Sequence, residues 1–104
     1  MDDSTYVVIH GRSGSNKTAT EYVEHIVYGK PKVTAIEVGE RFVALCSYDS
    51  VYEGTVADYT VARMGSFPHG AKSFANEADA MQEFADWITY YASTEKAVKY
   101  DAGV

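Results

Sequence analysis

Two β-rich runs joined by only two residues constrain this chain more than any other feature of its sequence. Val33 to Val38 and Arg41 to Tyr48 flank the dipeptide Gly39-Glu40. A two-residue connection that begins with glycine, between runs of this composition, is typical of a type II′ β-hairpin. The sequence therefore predicts an antiparallel pair of strands in which Val38 lies opposite Arg41.

The register of this hairpin sorts its side chains onto two faces, because neighbouring residues of a strand point in opposite directions. One face carries the larger pairs, Ile36 with Val43 and Thr34 with Leu45. The other face carries the smaller pairs, Ala35 with Ala44 and Val33 with Cys46. Small side chains let another element approach closely, so we expect a helix or, in a homodimer, a second subunit on that face.

The segment before the hairpin predicts one strand and one helix. Thr5 to His10 is β-branched and aromatic with a nearly continuous apolar character, which is typical of an interior strand covered on both faces. Thr18-Ala-Thr-Glu21 has the spacing of a capping box, in which each side chain bonds the backbone N–H of the other residue. A helix over residues 18 to 28 is predicted, since Gly29 supplies a residue that ends helices.

The second half of the chain predicts a further strand and a second helix. Asp58 to Met64 is predicted as the third antiparallel strand, after a loop over Asp49 to Ala57, and Gly65 to Ala75 as an irregular connection. Asn76 is a favourable N-cap for the last helix. That helix carries a stripe of apolar residues at helical spacing: Ala78, Met81, Phe84, Trp87, Ile88 and Tyr91.

These elements run in the order β-α-β-β-β-α, which predicts an α+β fold with a mostly antiparallel four-stranded sheet packed with two helices. A chain of 104 residues has the size of one domain and buries roughly two-thirds of the surface of its unfolded form. We therefore expect a single globular domain over residues 1–104. The lone cysteine, Cys46, lies in an apolar run and is predicted to be a small buried hydrophobic residue.

The charge of the chain limits its partners. It has 15 acidic residues against 9 basic ones, for a net charge of −6. Direct nucleic-acid binding depends on Lys and Arg side chains that neutralise phosphates, so this balance predicts none. The N-terminal residues lack the basic and apolar regions of a signal peptide, and no apolar run is long enough to cross a membrane. A cytoplasmic protein without a membrane partner is expected.

A polar loop between the first strand and the first helix has the spacing of an anion site. Gly11-Arg-Ser-Gly14-Ser-Asn16-Lys17-Thr18 resembles the phosphate-binding loop G-x-x-x-x-G-K-[ST] at every defined position except Asn16. Backbone N–H groups and the helix N-terminus would bind the anion, and Lys17 would reach a phosphate. The alternative is a Gly/Ser-rich turn that ends in a helix cap, because Asn16 replaces the glycine that approaches the phosphate most closely.

A second resemblance covers most of the chain. It consists of the run Tyr6-Val-Val-Ile-His10, the helix that opens at Thr18-Ala-Thr-Glu21, an apolar hairpin and a late amphipathic helix. In these features the chain resembles the zinc-dependent N-acetylmuramoyl-L-alanine amidases of the phage-lysozyme type. The resemblance implies a metal ligand at the end of the first strand, where His10 stands.

The remaining metal ligands of that family have no match in this chain. Where the resemblance would place a functional side chain in the hairpin, this chain has Ile36-Glu37. The family's later pair of ligands, near a distal strand beyond the last helix, has no counterpart in this chain. The other candidate ligands show no ligand spacing: His25, His69 and Cys46. A catalytic zinc needs three protein ligands and a water, so the resemblance implies a degenerate relative, and we predict no metal, cofactor or catalytic residue.

Tyrosine is abundant, with nine tyrosines in 104 residues. On the predicted loop and the start of the strand after it, tyrosines alternate with carboxylates: Tyr48, Asp49, Tyr52, Glu53, Asp58 and Tyr59. Tyrosine offers a large contact area and a polar tip at low entropic cost, which is why recognition surfaces favour it. We predict that these residues bind a partner. The alternative is that the tyrosines fill half-buried strand and rim positions.

These observations favour a small, acidic, non-enzymatic protein-protein interaction module that uses residues 48 to 59 and the acidic face of the last helix. Its expected partner is a protein with a basic surface, because carboxylates on a rigid domain can occupy a basic groove meant for nucleic acid. An inhibitor of a nucleic-acid-binding host defence complex, encoded by a phage or mobile element, fits this description. The alternatives are a phosphate- or nucleotide-binding module that uses the Gly11–Thr18 loop, and a degenerate relative of the amidases.

Overall fold

The computed structural model describes residues 4–12, 18–27, 29–49, 68–94 and 98–103. The described elements are five strands and two helices: β1 (Thr5–Arg12), α1 (Ala19–Ile26), β2 (Lys32–Val38), β3 (Arg41–Tyr48), β4 (Pro68–Phe74), α2 (Glu77–Thr94) and β5 (Val98–Gly103). The strands form one antiparallel sheet in the order β4-β1-β3-β2-β5. The predicted α+β fold and its β-α-β-β-β-α order are confirmed. β5 follows α2 and is a fifth strand, beside β2, in the sheet that the described residues form.

The hairpin of β2 and β3 has the predicted register. Val38 pairs with Arg41, and the pairing continues as far as Val33 with Cys46 and Lys32 with Ser47. Gly39 has a φ of 61°, in the left-handed region that glycine adopts without strain. Among the described non-glycine residues a positive φ occurs at Lys30 and not at Glu40. A positive φ at the first turn position alone is the type II′ geometry, as predicted.

β1 lies inside the sheet, between β3 and β4, and is covered on both faces as predicted. Val7 and Ile9 point to one face and are fully buried. Tyr6 and Val8 point to the other face and are 5% and 1% exposed. Because successive residues enter two different cores, the strand needs an apolar side chain at nearly every position.

The small-residue face of the hairpin packs against α1. Ala35, Ala44 and Cys46 are fully buried on this face, in the same cluster as Tyr22 and Val23 of α1. The small side chains of the sheet let the helix approach closely, which fills the space at the density of a protein interior. Helix α1 therefore takes the position that the sequence left open to either a helix or a second subunit.

The capping box at the start of α1 is confirmed. The Thr18 hydroxyl accepts a hydrogen bond from the Glu21 N–H at 3.2 Å, and the Glu21 carboxylate accepts one from the Thr18 N–H, also at 3.2 Å. The helix ends at Ile26 rather than at residue 28, because Val27 already has extended backbone angles, φ −101° and ψ 151°.

Helix α2 covers the opposite face of the sheet, and Asn76 is its N-cap as predicted. The Asn76 Oδ1 accepts from the backbone N–H groups of Ala78 and Asp79 at 2.8 and 3.2 Å. The side that packs on the sheet consists of Ala80, Phe84, Trp87, Ile88 and Tyr91. Two members of the predicted stripe were wrong, since Ala78 is exposed and Met81 is 51% exposed. Ala80 replaces them because a spacing of four residues aligns it with Phe84.

The segment before α2 is the part of the fold that differs most from its prediction. Pro68–Phe74 forms strand β4, where the sequence predicted an irregular connection over Gly65 to Ala75. Proline and glycine suggested a loop, but β4 is the outermost strand on its side among the described strands. Proline is tolerated in such a position, and Gly70 stands where a neighbouring side chain comes close. The strand predicted at Asp58 to Met64 lies outside the described residues.

Candidate functional site

Four side chains from three elements meet on the α2 face of the sheet: His10 of β1, Arg41 of β3, and Trp87 and Tyr91 of α2. The His10 ring stacks on the Trp87 indole, with ring centroids 3.6 Å apart and an angle of 18° between the planes. His10 Nδ1 lies 2.8 Å from the Tyr91 hydroxyl. The Arg41 guanidinium carbon lies 5.6 Å from the centre of the Tyr91 ring. We call these four residues the His10 cluster.

The sheet register places the His10 cluster at one end of β1. Arg41 pairs with Arg12, and Arg12 lies two residues beyond His10, so the side chains of His10 and Arg41 point to the same face. On the neighbouring strand Gly70 lies opposite His10. A Cβ at position 70 would come within 2.8 Å of His10 Nε2. The absence of a side chain at Gly70 therefore makes room for the imidazole.

A chain of polar contacts fixes the orientation of His10. Burial raises the pKa of Tyr91, while the positive charge of Arg41 and its hydrogen bond to Tyr91 lower that pKa by less. The Tyr91 phenol is therefore neutral at physiological pH. Because a guanidinium only donates, the Tyr91 oxygen accepts from Arg41. The same hydroxyl shares a hydrogen bond with His10 Nδ1, in which the His10 tautomer sets the donor. The imidazole, and the Trp87 indole stacked on it, are held in one orientation.

A groove of about 360 Å³ opens beside this cluster at the surface of α2, and it is lined by Glu83, Asp86, Trp87 and Tyr90. The Trp87 and Tyr90 rings stand at 87° to one another with centroids 5.7 Å apart. Tyr90 is 58% exposed, whereas Trp87 is partly buried. The indole thus contacts His10 on the inside and lines the groove on the outside.

Hydrogen bonds from the helix itself hold both carboxylates of the groove. The indole N–H of Trp87 donates to Glu83 Oε2 at 2.9 Å. The side-chain amide of Gln82 donates to Asp86 Oδ1, also at 2.9 Å. An ionised carboxylate has about four acceptor positions on two oxygens. Glu83 and Asp86 therefore keep acceptor capacity for a donor that enters the groove.

The groove belongs to a longer acidic stretch of α2. Spacings of four, three and four residues place Asp79, Glu83, Asp86 and Tyr90 on one side of the helix. We call these four residues the acidic side of α2. The helix contains four acidic residues and no Lys, Arg or His. No charge of its own neutralises this surface, which attracts cationic groups.

The structure describes two of the six residues predicted to bind a partner between positions 48 and 59. Tyr48 is 7% exposed and packs in the core on the α1 face. Asp49 is exposed and lines a cleft of about 280 Å³ together with Lys30 and Lys32, so basic groups surround its charge. The other four lie outside the described residues: Tyr52, Glu53, Asp58 and Tyr59. A partner surface in this stretch stays a prediction.

The structure describes the two ends of the predicted anion-binding loop. Gly11 belongs to β1, where it pairs with Phe42. The Thr18 hydroxyl donates to Glu21 Oε1 at 3.0 Å and accepts from the Glu21 N–H, so it takes part in the helix cap. The central positions lie outside the described residues: Gly14, Asn16 and Lys17. Anion binding by this loop stays a prediction.

Metal binding and thiol reactivity depend on how the His, Cys, Asp and Glu side chains of the described ranges are placed. No group of three or more His, Cys, Asp or Glu side chains in them is arranged to hold a metal ion. Cys46 is fully buried, as predicted, and burial raises its pKa from 9.0 to about 12. The thiolate form of Cys46 is therefore scarce at neutral pH, and the thiol is a poor nucleophile. No helix in these ranges has the length and apolar character needed to cross a membrane.

Several residues of this site were missed or assigned another role from the sequence. Trp87 and Tyr91 were predicted as core residues and His10 as a strand end, while Arg41 and Tyr90 were given no role. The acidic face of the last helix was predicted from the sequence, and the spacing from Asp79 to Tyr90 was a usable signal for the tyrosine beside it. Arg41 had no such signal, because its place beside Tyr91 depends on the pairing of β1 with β3.

No model of a protein family, no curated protein and no solved structure matches this chain.

Proposed function

We propose that this chain is a non-enzymatic protein-binding module that docks on the basic surface of a partner protein through the acidic side of α2. The observation that carries the proposal is the groove beside Trp87 and Tyr90, in which surface aromatic rings meet two carboxylates on a helix without basic residues. Tryptophan and tyrosine dominate the energetic centres of protein interfaces. Charge determines which partners approach and in what orientation.

The charge of the whole chain supports a basic partner. Its net charge is −6, and such a field raises the rate of association with a cationic surface, in a manner that salt weakens. Surfaces that bind nucleic acid are basic, so a helix that bears carboxylates can compete with phosphates for them. We therefore propose inhibition of a nucleic-acid-binding complex, of the kind that a phage or mobile element directs against host defence. The cytoplasm is the proposed location.

The test compares two pairs of charge-neutralising substitutions. Glu83→Gln/Asp86→Asn removes both carboxylates of the groove. Glu24→Gln/Glu40→Gln makes the same change in net charge at exposed positions outside α2. A partner captured from host extract with the wild-type chain is purified, and its dissociation constant is measured for each variant. Close interfacial charge pairs couple by about 1.5 kcal/mol or more, so we expect the groove variant to bind about tenfold or more weakly.

The control variant should bind the partner as the wild type does, and binding of the wild type should weaken as salt rises. A partner that binds the groove variant and the wild type equally well would refute the proposed role of α2. Charge reversal of Asp49, Glu53 and Asp58 forms a third arm. Loss of binding in that variant alone would move the partner surface to residues 48 to 59.

A further inference from the structure

We infer that the groove lined by Glu83, Asp86, Trp87 and Tyr90 binds an arginine side chain of the partner. The inference rests on the proposed function and names the residue type that the acidic side of α2 recognises. Three features of the groove favour arginine: its shape, the position of its charges and the fixed orientation of the Trp87 indole.

The two aromatic rings form a corner suited to a cation. The Trp87 and Tyr90 rings pack edge to face, with planes at 87° and centroids 5.7 Å apart, and both rings line the groove. The electron-rich faces of tryptophan and tyrosine attract cations, and tryptophan does so most strongly. Proteins that recognise quaternary ammonium ligands surround the cation with aromatic side chains.

Two fixed carboxylates add charge at the same place. Glu83 is held by the indole N–H of Trp87 at 2.9 Å, and Asp86 by the amide of Gln82, also at 2.9 Å. Their positions are thus set before a ligand arrives, which reduces the entropy lost on binding. A cation in the groove therefore meets aromatic surface and acceptor oxygens together.

Arginine fits these groups better than other cationic side chains. Its guanidinium is planar, stacks on aromatic rings and presents five N–H donors in a fixed fork. Glu83 and Asp86 offer acceptor oxygens for that fork. A trimethylated lysine has no N–H to donate, so it would add no hydrogen bond to either carboxylate. An unmodified lysine is a compact, strongly hydrated charge that stacks less well on an indole.

His10 is a positioning residue for this groove. It stacks on Trp87 with ring centroids 3.6 Å apart and is itself held by Tyr91 at 2.8 Å. The indole of Trp87 is therefore fixed on its inner side. A fixed ring keeps the corner between Trp87 and Tyr90 open without the ligand.

The test titrates the full chain with capped amino acids and follows the indole N–H of Trp87 by NMR. The chain contains one tryptophan, so this signal is unique and reports on the groove. The probes are capped arginine, capped lysine, capped trimethyl-lysine and capped citrulline, which is the neutral analogue of arginine. We expect a saturable shift with capped arginine, at an affinity about tenfold above that for capped citrulline.

Two pairs of charge-neutralising substitutions, one inside and one outside the groove, compare the affinity for arginine. Glu83→Gln/Asp86→Asn should abolish the preference for arginine over citrulline, whereas Glu24→Gln/Glu40→Gln should retain it. Tyr90→Leu, at an exposed position, should weaken arginine binding without unfolding the chain. Equal binding of arginine and citrulline, or tighter binding of trimethyl-lysine, would overturn the inference.

The same variants separate this inference from the proposed function. If Glu83→Gln/Asp86→Asn weakens partner binding while capped arginine gives no saturable shift, the assignment to arginine fails and the docking surface stands. If that variant leaves partner binding unchanged, both fail.

Discussion

Replacement of Gly70 by alanine tests the geometry on which the His10 cluster depends. A Cβ at this position would lie 2.8 Å from His10 Nε2, well inside the distance at which attraction between nonbonded atoms is greatest. The imidazole has little room to retreat, because it stacks on Trp87 at 3.6 Å and its Nδ1 lies 2.8 Å from the Tyr91 hydroxyl. The added methyl group therefore has to displace a ring that is held on two sides.

Two opposing contributions set the size of the effect. Overpacking of a filled site costs about 1–3 kcal/mol. Replacement of glycine by alanine also restricts the unfolded chain, which stabilises the fold by about 0.4–1 kcal/mol where the native backbone suits alanine. Gly70 is not among the glycines with a positive φ, so this gain applies. We expect Gly70→Ala to lower the free energy of unfolding by about 1–2 kcal/mol.

A double-mutant cycle with His10 assigns the cause. Urea unfolding is followed by circular dichroism for the wild type, Gly70→Ala, His10→Ala and the double variant. Without the imidazole the clash is gone, so Gly70→Ala should then be neutral or stabilise by up to about 1 kcal/mol. Ser73→Ala, at an exposed position of the same strand, is the control and should have little effect. An equal loss of stability in both His10 backgrounds would refute the predicted clash.

The further predictions concern three single groups, Tyr91, Cys46 and Thr18. Tyr91→Phe removes the hydroxyl beside His10 and should lower the free energy of unfolding in urea by about 1 kcal/mol, whereas Tyr90→Phe, at an exposed position, should not. Burial raises the pKa of Cys46 from 9.0 to about 12, so its thiol should react with iodoacetamide only after unfolding. The contribution of Cys46 to stability should be full below pH 9.0 and decline towards pH 12, because only the unfolded thiol ionises there; a titration of Cys46→Ala should lack this decline. Thr18→Ala removes the N-cap and should cost about 1 kcal/mol in urea unfolding, a loss that Thr18→Ser should restore.

Local chemistry explains what the sequence predicted correctly. The Gly39-Glu40 turn, the capping box at Thr18 and the cap at Asn76 depend on residues within four positions of one another. Their backbone geometry is set by hydrogen bonds and φ preferences that a short segment carries with it. The apolar run of β1 also gave a correct result, because coverage on both faces demands apolar residues at nearly every position.

Long-range pairing explains what the sequence did not predict. Pro68 and Gly70 are turn residues by local preference, yet they belong to β4, because pairing with β1 outweighs that preference. The role of Gly70 is visible only once His10 is known to lie opposite it. Prediction of the groove also depends on a long-range contact. Trp87 lines the groove on one side and stacks on His10 on the other, and the sequence does not show that these two residues meet.

The two faces of the sheet differ in how completely their helices are buried. On the α1 face the cluster is apolar and closely packed, with Cys46, Phe42 and Val23 fully buried. On the other face α2 has 18 residues, of which Ala80 and Tyr91 are buried. The other side of α2 is exposed, as in an amphipathic surface helix, and Tyr90 on it is 58% exposed. The exposed aromatic and acidic surface of α2 is the one that we propose binds a basic partner, so substitutions there should change binding more than folding.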